Sequence, residues 1–284
     1  MKKIILFFCL FISMRIYAQQ AAEIHKKAIV VDTHVDVLSD QLTLNFDIGK
    51  KQSFGHFDLV RAREGGLDVQ VFSVWSDEKG GFSLANRQID TLNALIKRYP
   101  NKIALVKNSK ELKAAIDQER LAALVGVEGG HMIENRLDYI DSLAIRGMAY
   151  MTLTWNNSTP WATSAADENS GKPLPHKGLT DFGKEVVRRM NKLGVMVDLS
   201  HVGEQTLADA IQVSTKPVIA SHSCVYAINP VSRNLKDDQI RAIAQTGGVV
   251  FVNFYSGFLD PAYQPKYEAL LAKYASEIAD LTKQ

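Results

Sequence analysis

Short apolar runs alternate with longer stretches that are apolar on one side only, and this alternation constrains the fold more than any single motif does. The runs lie at 29–36, 67–75, 121–128, 148–155, 195–201, 218–223 and 249–254. Several are apolar at consecutive positions, as strands buried on both faces are, and so predict a parallel sheet covered by helices. Between them, Leu84, Ile89, Leu92, Leu95 and Ile96 share one helical face that Tyr99-Pro100 closes. Phe182, Val186, Val187, Met190 and Leu193 share another, behind Thr180 as N-cap. A further helix opens at Ser109, without a Glu at the third following position to complete a capping box. Seven strands alternating with helices give an α/β fold class and predict a (β/α)8 TIM-like barrel with its eighth strand missing. The chain stops at Gln284, after the helix that would lead into that strand.

The first residues stand apart. Met1-Lys2-Lys3 is basic, Ile4 to Met14 is apolar, and Ile16-Tyr17-Ala18 offers a small residue for cleavage. That pattern predicts a signal peptide over 1–18, too short for a stable membrane span, and a protein exported to the periplasm or the exterior. Residues 19–284 are then one barrel domain, incomplete at its C-terminus. Lys2, Lys3 and Arg15 leave with the leader, so the remaining 30 basic residues face 31 acidic ones. A balance near −1 argues against nucleic acid or an anionic membrane as partner. Cys9 leaves as well, and Cys224 alone cannot form an internal disulfide.

In such a barrel, chemistry sits at the C-terminal ends of the strands. Metal-type side chains occur there five times: His34 and Asp36 after the first strand, Glu128 after the third, His201 after the fifth and His222 after the sixth. Two ions with three protein ligands each need six positions, and one bridging carboxylate reduces these to five residues. Glu128, alone on its strand, is the natural bridge; Gly129-Gly130 after it leave room for metal or substrate. His34 and Asp36 would hold one ion, His201 and His222 the other, and the mixed imidazole and carboxylate set suits zinc. His131 reads as a supporting or structural histidine. Asp198, an odd step from His201, aims away from it and reads as a support for the ligands or a helix contact. No Gly-x-Ser-x-Gly elbow and no dinucleotide loop is present.

The chain resembles the membrane (renal) dipeptidases, zinc metallopeptidases of the amidohydrolase-like barrel class. The resemblance runs from about Val30 to Tyr255. It is carried by Asp32-Thr33-His34-Val35-Asp36, Gly126-Val127-Glu128-Gly129-Gly130-His131, Thr152-Leu153-Thr154-Trp155-Asn156 with Thr159-Pro160-Trp161-Ala162, Val197-Asp198-Leu199-Ser200-His201, Ser221-His222-Ser223 and Ser232-Arg233-Asn234. It implies a dipeptide substrate, two zinc ions on the same five residues with Glu128 bridging, and Arg233 in contact with substrate. Two departures stand out. Trp155 occupies the place of a histidine that polarises the substrate carbonyl in mammalian members. The general acid/base aspartate of an Asp-Phe-Asp-Gly segment on the eighth strand has no counterpart, so the catalytic residue is expected beyond the chain end.

The expected function is therefore dinuclear zinc dipeptide hydrolysis, with association into a homodimer left open. Two alternatives remain on sequence grounds. One is a truncated, non-catalytic metal-binding barrel whose open seam exposes strand edges to association. The other is a different amidohydrolase-like enzyme acting on a cyclic amide or lactone.

Overall fold

A computed structural model describes residues 21–77 and 79–281; the leader expected over 1–18 lies outside them. The strands are β1 (Val31–Val35), β2 (Val69–Trp75), β3 (Ile103–Leu105), β4 (Leu121–Glu128), β5 (Met148–Thr152), β6 (Met196–Asp198), β7 (Ile219–Ser223) and β8 (Val249–Val252). They form a sheet of order β1-β2-β4-β5-β6-β7-β8, with β3 beside β4. Seven strands on one path, in chain order and joined by helices, are the architecture of the (β/α) barrel class, with no pairing between β1 and β8 among the described residues. Seven of the predicted strands are these seven. β3 is additional: three residues, Ile103, Ala104 and Leu105, pair in parallel with Leu121, Ala122 and Ala123.

By contact the chain divides into two compact units, one running to Ser73 and including Arg87–Val125, the other comprising Val74–Asn86 and the chain from Gly126 onward. In the first, β1 pairs with β2 through Val31↔Val69 and Asp32↔Gln70, then slips before Val35↔Phe72. Val69, Val106, Ala115 and Ala122 are buried together, with Leu112, Ile116 and Leu124 packed against them. The helix Ser109–Asp117 supplies Leu112, Ala115 and Ile116 at helical spacing. Its cap is Asn108, one residue before the expected start: Asn108 accepts from the Glu111 N–H, and Glu111 Oε2 accepts from the Lys107 N–H. The Glu missing three residues after Ser109 is thus present three residues after the residue that caps.

In the second unit β5, β6, β7 and β8 pair in parallel, through Thr152↔Asp198, Asp198↔Ile219 and Ile219↔Val249 among others. The helix Asp181–Leu193 buries Val186, Val187 and Met190. It starts on the Thr180 hydroxyl, as expected, and ends at Gly194, whose φ of 73° suits a residue without a Cβ. The closing helical stretch is two helices, Tyr263–Lys273 and Ala275–Leu281, broken at Tyr274. Leu270, Leu271, Tyr274 and Ile278 stay exposed on it. β8 is open as well, with Val252 61% exposed, as an edge strand unpaired on one side is. No helix among the described residues is long and apolar enough to cross a membrane.

Candidate metal centre

Three of the five predicted ligands come together in the second unit. Glu128 ends β4, His201 lies three residues beyond the end of β6, and His222 is on β7; they are only 3%, 8% and 7% exposed. His201 Nε2 is 2.9 Å and His222 Nε2 3.3 Å from the same Glu128 oxygen, Oε1. The two imidazole rings are 5.0 Å apart, nearly edge to face. The expected strand over 195–201 is shorter than predicted, because pairing stops at Asp198 and His201 takes a left-handed φ of 66°. That turn, rather than strand pleating, sets the direction of the imidazole.

In the first unit His34 and Asp36 also pair, His34 Nε2 to Asp36 Oδ1 at 3.3 Å. His34 is on β1, and Asp36 follows it at the head of the helix Val37–Leu44 without capping it by its side chain. Asp32, on the same strand, instead accepts from the His34 N–H and the Gln70 side-chain amide. It braces β1 and leaves the outward donors to the other two.

The surroundings of the buried trio are polar and tightly bonded. Asn156 Oδ1 lies 3.0 Å from His201 Nδ1, so an Nδ1–H donates to it and Nε2 faces Glu128. Ser221 Oγ lies 2.7 Å from His222 Nδ1, and Ser200 Oγ accepts from the His222 N–H. Asp198, fully buried, accepts from Thr152 Oγ1 at 2.5 Å, from Ser221 Oγ at 2.6 Å, and from the Ser200 and Ser221 N–H groups. Burial and then the Arg233 guanidinium push His201 down to about 3 against the pull of Glu128. Burial likewise lowers Arg233 to about 10, which the Glu128 and Asp198 carboxylates oppose; the side chain remains a cation at neutral pH. Its Nη2 donates to the His222 carbonyl at 3.4 Å, and its guanidinium lies over Phe258.

The predicted Gly129-Gly130 space is used differently from the expectation. A Cβ on Gly129, whose φ is 98°, would stand 2.3 Å from the His131 ring, and one on Gly130 would stand 2.4 Å from the Leu153 carbonyl and 2.5 Å from Trp161. The glycines admit protein neighbours, not a ligand. His131 contacts Ser76 Oγ through Nε2, and burial lowers its pKa; it acts as packing for this turn. Trp155 packs edge to face on Trp75 at 5.4 Å and stands 6.5 Å from the His201 ring. The Cys224 thiol bonds to the Asn253 carbonyl and burial raises its pKa, which is the reverse of an activated nucleophile.

Two imidazole nitrogens turned toward one buried carboxylate oxygen are a donor set that fits a divalent metal such as zinc. Asn156 and Ser221 lie within the motifs that carry the resemblance, beside Trp155 and His222, but nothing in their spacing gave either a role. Among known proteins, an uncharacterized dipeptidase of Schizosaccharomyces pombe is 36% identical over 263 residues, 85% of this chain. The chain spans 62% of that relative's length. The probable dipeptidase PvdM from Pseudomonas aeruginosa shares the fold, with a TM-score of 0.79 at 24% identity over 92% of this chain and 69% of its own. A solved dipeptidase of metallopeptidase family M19 matches with a TM-score of 0.74 at 25% identity, over 82% of this chain and 74% of its own. The family model described as membrane dipeptidase (peptidase family M19) matches residues 18–281, and the chain belongs to that family.

Proposed function

We propose that the protein is a metal-dependent dipeptidase that hydrolyses the peptide bond of a dipeptide. The observation that carries this reading is the convergence of His201 and His222 on buried Glu128, in a chain of this family. In the full proposal His34 and Asp36 would hold one zinc ion and His201 and His222 a second, with Glu128 as the carboxylate shared between them. Bound zinc supplies Lewis acidity and a water whose proton is lost near neutral pH.

The chain's own residues do the remaining work. Glu128 places a carboxylate in a buried site, and His201, held well below the usual imidazole range by its burial, enters neutral, as a ligand must. Arg233 remains charged despite its burial. Its planar fork of N–H donors suits the C-terminal carboxylate of a dipeptide and would fix which end of the substrate lies toward the cluster. Trp155 offers an aromatic wall and one indole N–H donor, so it can orient a carbonyl but cannot take up a proton as a histidine would. The leader over 1–18 makes the enzyme an exported one.

The test is direct. Purified protein is expected to release free amino acids from alanyl dipeptides, to lose that activity on dialysis against a chelator and to regain it with zinc. Protein recovered from the producing cells is expected to lack the leader by intact mass. Unchanged turnover after complete metal removal would refute the metal-dependent reading.

A further inference from the structure

Ser221 meets His222 at Nδ1, not at the Nε2 that faces Glu128, and its bonding with Asp198 determines which nitrogen of His222 can carry a proton. Asp198 is fully buried and is bonded to four donors. Its Oδ1 accepts the Ser200 and Ser221 N–H groups at 3.1 and 2.8 Å, and Oδ2 accepts the Thr152 and Ser221 hydroxyls at 2.5 and 2.6 Å. A serine hydroxyl has one proton to give and two lone pairs. With a buried carboxylate at 2.6 Å and an imidazole nitrogen at 2.7 Å as competing acceptors, the charged one takes the proton. Ser221 Oγ then has its lone pairs for two donors: His222 Nδ1–H, and the Ser200 hydroxyl at 3.3 Å. The Ser200 oxygen in turn accepts from the His222 N–H, so the ring is tied at the backbone and at Nδ1.

We propose that Asp198, acting through Ser221, is a positioning residue that fixes His222 as the Nδ1–H tautomer and so presents an Nε2 lone pair toward Glu128. This rests on the metal-dependent reading only for its purpose, not for its geometry. It assigns work to a carboxylate that lies close to the cluster and is not itself a ligand.

The decisive variant is Asp198→Asn. The two backbone N–H groups keep the amide oxygen at the Oδ1 position, so the amide NH2 must occupy the Oδ2 position and donate to Ser221 Oγ. The Ser221 proton is then redirected to His222 Nδ1, which leaves the Nε2–H tautomer and turns an N–H toward Glu128. Long-range 1H–15N spectra of metal-free protein, with His222 assigned by His222→Gln, are expected to show Nδ1–H in the parent and Nε2–H in Asp198→Asn. Zinc affinity by chelator competition is expected to fall about 100-fold, the upper end of what supporting residues cost. Ser221→Ala, which leaves Asp198 its other three donors, is expected to lose about 10-fold and to show mixed tautomers, and it serves if Asp198→Asn does not fold. Parent-like tautomer and affinity in the folded variants overturn the inference. If the parent protein itself binds no zinc, the dipeptidase reading fails separately, and the tautomer spectra still decide this one.

Discussion

Replacing His201 by asparagine tests whether burial holds that imidazole neutral in the folded protein. Asparagine is the appropriate replacement because His201 has a φ of 66°, a region that asparagine enters more readily than most residues. It also removes the only titration at that position. The folded value of about 3 lies below the ordinary 6.5. As the pH falls below 6.5 the unfolded chain takes up a proton that the folded chain refuses, so stability is present above that pH and is lost on acidification toward about 3. Well inside that window one pH unit costs about 1.4 kcal/mol, and going from pH 7.5, where the unfolded imidazole is still mostly neutral, to 4.5 costs about 2.7 kcal/mol. Against a typical total of roughly 5–15 kcal/mol, that loss is large. The assay is urea unfolding of chelated protein at pH 7.5, 6.5, 5.5 and 4.5 for parent and His201→Asn. The variant is expected to start less stable, having lost its contact with Glu128, and to lose about 2.7 kcal/mol less than the parent between pH 7.5 and 4.5. Parallel losses in the two proteins would refute the claim that His201 is held neutral.

Gly130→Ala would drive a methyl into a backbone carbonyl and a buried indole, and an overpacked site of this kind costs about 3 kcal/mol. Thermal unfolding is expected at least about 6 °C lower, and a variant within about 2 °C of the parent would show that the turn yields easily. Asn108→Ala removes the side-chain cap of Ser109–Asp117 and is expected to cost about 1 kcal/mol in urea unfolding, with Asn108→Ser recovering most of it. Equal stability of the Ala and Ser variants would count against the cap.

Much of this architecture was legible because a strand buried on both faces is mostly apolar at consecutive positions, as the run at 121–128 displays up to Glu128, while β2 buries Gln70 and Ser73 among its apolar residues. β3 escaped because three residues are too few to establish a period, and it stands beside β4 rather than on the main path. Glu128, His201 and His222 were visible as donors at the ends of three strands, although His201 owes its aim to a left-handed turn that no pleating rule anticipates. Asp198 stands apart from the trio and bonds to the hydroxyls it accepts from, as a support for the ligands would, although the pleating parity behind that expectation does not apply once β6 ends at Asp198. Asn156 and Ser221 stood in the motifs that carry the resemblance, but their bonds to His201 and His222 leave no spacing in the chain from which a role could be read. Asn108 was missed by one position, as helix starts commonly are, because the capping residue lies outside the helical pattern it begins.

The glycine pair after Glu128 also bears on how such a protein can change its substrates. A turn with no spare volume cannot be remodelled one side chain at a time, so natural drift or a mutant library aimed at 128–131 should return mostly damaged folds. The largely solvent-exposed stretch at 169–177 carries no such constraint, and changes can accumulate there without disturbing the packed turn.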